Sequence, residues 1–214
     1  MFRILSIVAF VLSFVWIFRY LKQNETSLKE ISNNYFGALK NSFSDPKSLK
    51  SKNFSEKLKS LRVFIYLFTL LELFIMMFTG FVPLLFTGSD LTGILLLIHV
   101  TVAPLIAITF ALLVVLFAQS NSFDENDIAV KVNENGNNKT VLKITAYLKI
   151  NFWLISLLSL PAMVSIILSM FPLFGTEGQV NLLEIHRYSV LIISILVIFH
   201  IGLLSVNSKQ LLKN

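Results

Sequence analysis

The stretch Glu184–Val206, EIHRYSVLIISILVIFHIGLLSV, decides the class of this chain. It is longer than the roughly 20 apolar residues that carry a helix across a bilayer. It also holds two of the three histidines in the sequence, His186 and His200, fourteen residues apart. At about 100° per residue, fourteen steps fall within about 40° of a whole number of turns. Both imidazoles therefore leave one continuous helix on the same side, about 21 Å apart along its axis. The third histidine, His99, lies in another apolar stretch, and the long polar segments contain none. Ionisable side chains inside a membrane are costly and default to a functional reading.

Composition agrees with a membrane protein. Of 214 residues, 55% are hydrophobic and 14% charged, and 20 are phenylalanine, which is too apolar for a soluble domain. With no cysteine, disulfides, thiolate metal sites, Cys-ligated iron–sulfur clusters and covalently attached c-type haem are excluded. The net charge of +6 does not point to nucleic acid, because the lysines and arginines border apolar stretches as membrane topology requires. No Gly-rich phosphate loop, HExxH or GxSxG pattern is present, so nothing marks a self-contained enzyme active site.

Five stretches suffice to cross a bilayer: residues 2–21, 61–87, 91–118, 147–174 and 184–206. The fold class expected is thus all-α, a polytopic membrane protein with five transmembrane helices. The first stretch, residues 1–21, runs into Phe18-Arg19-Tyr20-Leu21-Lys22 without a small-residue cleavage site and reads as an uncleaved anchor. Residues 22–60 are polar but place Leu28, Ile31, Tyr35, Leu39 and Phe43 on one helical stripe, closed by Ser44-Asp45-Pro46. Such a helix lies on the membrane surface, lysines toward anionic headgroups; a partner-docking helix has the same pattern. Residues 61–206 hold the remaining four spans, interrupted near 128–144 by two alternating runs, Ile128–Val132 and Lys139–Lys143, about an Asn135-Gly136 turn, the pattern of a β-hairpin outside the membrane. Residues 207–214 form a short polar tail. Sequons at Asn24, Asn53 and Asn138 are chance in an Asn-rich chain, and Pro83, Pro104 and Pro161 are expected to kink their helices.

Lysine and arginine set the orientation. Ten fall between Arg19 and Arg62, four between Lys131 and Lys149 and two in the tail, against Arg3 and Arg187 alone on the other side. The positive-inside rule then puts the N-terminus outside and the C-terminus in the cytoplasm, with the third and fifth spans parallel. Caps estimate depth: Ser89 before the third span, and Thr176 with Gln179 as a capping box before the fifth. His99 lies ten residues past Ser89 and His186 ten past Thr176, so the two imidazoles are expected at one level in the outer half of the membrane. Two histidines facing each other across a bundle supply the axial ligands of a haem iron. Gly80, Ala162, Ser165 and Ser169 are small enough for a macrocycle to pass, and Arg187 is the basic residue near that level to meet a propionate. For His200, an inner haem ligand, a quinone or proton site and a hydrogen-bonded structural histidine stand equal. Glu72, deep in the second span, is either a proton relay or a protonated, hydrogen-bonded acid.

His186 and His200 on a late span, with His99 on a parallel span two earlier, resemble the four-helix cytochrome b family, which includes the membrane subunits of formate dehydrogenases, hydrogenases and related respiratory complexes. The resemblance covers roughly residues 61–206, which it makes a cytochrome b-like four-helix bundle; the first span and residues 22–60 lie outside it. It implies two stacked haem b groups, with His99 and His186 matching the outer ligand pair and His200 one inner ligand. It further implies other subunits of a membrane redox complex as partners, a quinone or second carrier as acceptor, and the bacterial cytoplasmic membrane as location. The sequence departs from the pattern at Leu113, fourteen residues after His99, where the fourth ligand is expected. One haem is therefore expected, with a second only if its missing ligand comes from elsewhere. The chain reads as an electron-transfer subunit rather than a stand-alone enzyme. The competing reading is a haem-free membrane anchor, scaffold or transporter subunit.

Overall fold

The computed structural model describes residues 1–27, 29, 33, 54–89, 91–132 and 138–213. The amphipathic stripe from Leu28 to Phe43 and the Asn135-Gly136 turn lie outside the described residues, Lys29 and Asn33 excepted. Five helices account for most of the rest: α1 (Phe2–Gln23), α2 (Phe54–Phe86), α3 (Gly93–Phe117), α4 (Ile144–Ser169) and α5 (Gly175–Lys213). Each is long and apolar enough to cross a membrane. In α3, Ile94, Leu97, Leu105, Ile108, Leu112 and Val115 stand outward on one face, Val115 at 76% exposure. In water such a surface would drive aggregation; in lipid it is the expected exterior, with every backbone group bonded inside the helix. The chain is a multi-pass membrane protein.

Three helices start earlier than their apolar stretches. α2 begins at Phe54 rather than 61, α4 at Ile144 rather than 147 and α5 at Gly175 rather than 184. Helix propagation needs only backbone bonds and tolerable propensity, so polar turns extend a helix beyond its membrane-crossing part. At its other end α4 stops at Ser169, short of residue 174. Pro172 disfavours helical backbone at Phe171 and ends the run. The helices continue through Pro83, Pro104 and Pro161.

The described residues divide into two compact units, one of residues 1–7 and 27–120 and the other of residues 8–26 and 121–214. In the first, α2 and α3 form an antiparallel hairpin whose contacts run in mirrored order, Tyr66 with Phe117, Glu72 with Thr109 and Thr79 with His99. α2 ends at Phe86, and two residues on Gly88 adopts φ +69° and donates its N–H to Pro83 O and Leu84 O, the left-handed stop that glycine permits without strain. Arg3 covers this terminus: Nε and Nη2 donate to Leu85 O at 3.2 and 2.9 Å, and Nη2 also to Phe86 O. A cation is stabilised there by the helix dipole and by the last unpaired carbonyls.

In the second unit, α4 and α5 form another antiparallel hairpin. Asn151 Nδ2 donates to Leu196 O at 2.8 Å, a polar tie inside an apolar contact. The later part of α1 packs on α5 where Trp16 meets Phe199 edge-on and Ile17 lies over Gly202. A Cβ at Gly202 would stand 2.9 Å from Ile17 Cδ1, so the absent side chain sets how closely these helices approach. β1 (Ile128–Val132) and β2 (Asn138–Leu142) pair antiparallel with Val130 opposite Thr140, the hairpin the alternation predicts. Its base is fixed by Asp127, which accepts from the Asp124 backbone N–H and from Lys149 Nζ of α4, at 2.8 and 2.9 Å. The Asp124 N–H first, and the Lys149 ammonium second, hold the Asp127 carboxyl below the usual carboxylate range.

Buried hydroxyls in these helices are mostly self-satisfied. Ser6, Ser13, Thr79, Ser194 and Ser205 each donate to the carbonyl four residues earlier, at 2.7–2.9 Å. Bonding back to the helix's own turn meets the rule that no donor goes unpaired in hydrocarbon.

Candidate functional site

Each histidine occupies a defined environment within its own unit. His99 sits seven residues into α3, half-buried, with Nδ1 2.8 Å from Thr79 Oγ1 of α2. The Thr79 hydroxyl lies equally close to the Ile75 carbonyl, at 2.8 Å. A carbonyl can only accept, so the threonine proton points to Ile75 and Oγ1 accepts from the His99 Nδ1–H. This relay, imidazole to hydroxyl to carbonyl, fixes the ring's tautomer. Thr79 itself is 2% exposed.

Gly80 lies against the same ring. A Cβ there would come within 3.3 Å of His99 Cε1, so glycine makes room for the imidazole. The structure thus places Gly80, expected beside a macrocycle, against the His99 ring.

His186 repeats the arrangement in the second unit. Its Nδ1 is 2.7 Å from the carbonyl oxygen of Ala162 in α4. The carbonyl only accepts, so Nδ1 carries the hydrogen and Nε2 the lone pair. Ala162 and Ser165 are both buried in this contact region, where their small side chains let α4 approach α5. His200 does lie on the same continuous helix as His186. Its Nδ1 is buried without a hydrogen-bond partner among the described residues. An apolar environment makes such an atom costly, so His200 is the imidazole of α5 with bonding capacity to spare.

Three expectations for the site change. Ser89 is not the cap of α3: Thr92 holds the N-cap position and Ser89 Oγ bonds to Thr87 Oγ1. Thr176 is not a cap either, since it lies in the first turn of α5, and the Gln179 side chain bonds to Phe171 O. Counted from the observed starts, His99 is six residues past Gly93 and His186 eleven past Gly175, so equal spacing from caps no longer supports a common depth. Arg187 is paired: Nη1 lies 2.9 Å from Glu184 Oε1, one turn earlier on a partly exposed face. Leu113, at the position of the absent fourth ligand, is buried as an ordinary apolar side chain.

Glu72 proves to be 4% exposed and bonded through Oε2 to Thr109 Oγ1 of α3. Thr79, Ala162, Glu184 and Thr109 are the partners that sequence reasoning missed. Two were within reach: Glu184 stands three residues before Arg187 on one helix, and Thr79 lies ten residues before Ser89 and His99 ten after it, so folding α2 on α3 about that turn brings them together. Nothing in the sequence marks the Ala162 carbonyl, because any residue offers one.

No protein-family model, no curated protein and no solved structure matches this chain.

Proposed function

We propose that this chain is a membrane-integral b-type cytochrome subunit, with His99 and His186 as axial ligands, relaying electrons between a partner subunit and a quinone or second carrier. The observation that carries this reading is the shared tautomer. Each imidazole donates Nδ1–H to a fixed helix acceptor, which orients the ring as a supported metal-ligating histidine is oriented. The donor chemistry therefore fits haem, which when bound supplies one-electron exchange at iron. Thr79 and the Ala162 carbonyl hold their rings against rotation and raise ligand basicity. Gly80 leaves space beside the His99 ring. Arg187 meets a propionate only in competition with Glu184. His200, with its unsatisfied Nδ1, is the contact for an inner haem or for a quinone carbonyl oxygen, to which an imidazole N–H can donate.

The orientation proposed, N-terminus outside and C-terminus inside a bacterial cytoplasmic membrane, rests on the sixteen-to-two distribution of basic residues.

The test is the dithionite-reduced minus oxidised spectrum of the purified protein, with haem stoichiometry. A b-type band is expected, and His99→Ala or His186→Ala should remove it while the protein remains monodisperse in detergent. A band surviving either change removes that ligand assignment. Absence of haem from protein produced with ample haem supply leaves the competing reading, a haem-free anchor, scaffold or transporter subunit. A satisfied Nδ1 favours that reading as well, because a structural histidine needs the same bond.

A further inference from the structure

Buried hydroxyls of these helices bond to their own preceding turn, but α2 carries one that does not. Thr69 is 4% exposed, and its Oγ1 has no hydrogen-bond partner among the described residues. One turn further along the same face is Glu72, also 4% exposed, whose Oε2 meets Thr109 while Oε1 is likewise without a partner. Two turns toward the lysine-rich end lies half-buried Arg62, whose Nε is in the same condition. Steps of three and four residues place Arg62, Tyr66, Thr69 and Glu72 on one stripe. From Arg62, one turn past exposed Lys59, it runs about 15 Å along the helix axis to Glu72.

The Glu72–Thr109 pair can hold its hydrogens in two ways. Thr109 Oγ1 is also 3.1 Å from Leu105 O and 3.3 Å from Ile106 O, so one hydroxyl hydrogen has three acceptors. Either Thr109 donates to a Glu72 carboxylate, or it donates to its own helix and accepts from a Glu72 carboxylic acid. Proton gain and loss thus leave the partners in place. Glu72 and Thr69 are about 4.5 Å apart in helix rise, a spacing that one water, of the kind buried polar groups recruit, can bridge between Oε1 and Oγ1.

We propose that Glu72 is a proton-exchange site, reached from the Arg62 end of α2 through water held by Thr69. A proton arriving from bulk water adds to the carboxylate at Oε1, and the reverse step returns it; no electron moves and no other bond forms. Among the described residues, the charged and titratable groups facing the stripe are few. α2 contributes Arg62 and Tyr66. α3 contributes none nearby, its one titratable residue being His99, ten residues from Thr109 and bonded at Thr79. Arg3 is at the opposite end of the unit, on Leu85 O. Haem is not required for any of this.

The experiment is infrared difference spectroscopy of the full chain in lipid vesicles, following the carboxylic acid carbonyl stretch during transfer from H2O to D2O and during pH titration. A band is expected that Glu72→Gln removes and that titrates. Its deuterium shift should slow about tenfold in Thr69→Val, the equivalent of one lost hydrogen bond, and recover in Thr69→Ser. The wild-type titration needs no variant to fold. Absence of a titrating carboxyl band that Glu72→Gln removes overturns the site; equal exchange in Thr69→Val and wild type overturns the route. The outcome is independent of any haem spectrum, so this site and the cytochrome reading fail separately.

Discussion

Replacing Thr79 by valine tests the reading of His99 at its source. The two side chains have nearly the same shape, so no cavity forms at this 2%-exposed position, and the change reduces to the hydroxyl. That hydroxyl does two things: it donates to Ile75 O and accepts from His99 Nδ1–H. Loss of the first is mild, because Ile75 O remains in the helical bond ladder. Loss of the second leaves a part-buried donor without its acceptor, which costs at most about 1–3 kcal/mol. The imidazole also loses the constraint on its tautomer. Two measurements follow. Unfolding in mixed micelles should show Thr79→Val destabilised by about that amount and Thr79→Ser near wild type. Nitrogen-15 NMR of the imidazoles should show His99 protonated at Nδ1 in the wild type, with the hydrogen shared between the nitrogens in Thr79→Val. If haem is bound, its retention should fall about 10–100-fold, the usual effect of removing a ligand's supporting hydrogen bond. A wild-type His99 protonated only at Nε2 would refute the derived relay. Equal stability of wild type and Thr79→Val would refute the energetic part.

Other contacts give separate expectations. Asn151→Leu removes the tie to Leu196 O and should destabilise the α4–α5 hairpin by about 0.6 kcal/mol, at most about 1.7, measured by the same unfolding assay. Gly202→Leu inserts a side chain where Ile17 already stands at 2.9 Å, so cysteine cross-linking between α1 and α5 should drop sharply while α4–α5 cross-links persist. Because the folded Asp127 carboxyl titrates below the ordinary value of about 3.9, its contribution to the hairpin base is fully present above that value. It is lost as pH falls through the lower, folded value. Amide exchange over residues 121–145 should therefore accelerate in that acidic window, and Asp127→Asn should abolish the step.

Membrane crossing, the number of spans and the hairpin were legible in the chain because each depends on local pattern. Residues 184–206 are apolar over a bilayer's thickness whatever they touch, and the alternation at 128–132 and 139–143 has a period of two in any context. Helix ends were less legible. Pro172 was a visible stop for α4, but apolar length was the stronger cue and carried the expected end to residue 174. The caps assumed at Ser89 and Thr176 failed because a capping pattern shows which residues suit the position, not which turn the helix starts on.

The histidines divide the same way. That His186 and His200 share one helix and one side follows from fourteen residues of continuous apolar sequence, since helical geometry is set by the backbone. Which nitrogen of His99 or His186 holds the hydrogen was decided only by the tertiary structure. The deciding atoms are a threonine hydroxyl twenty residues away and a main-chain carbonyl twenty-four residues away. The pairing of Glu72 with Thr109 and the unsatisfied oxygen of Thr69 belong to the same category. A hydrogen bond needs two groups at one distance and angle, and only the packing of one helix on another, or the rotamers it allows, sets both.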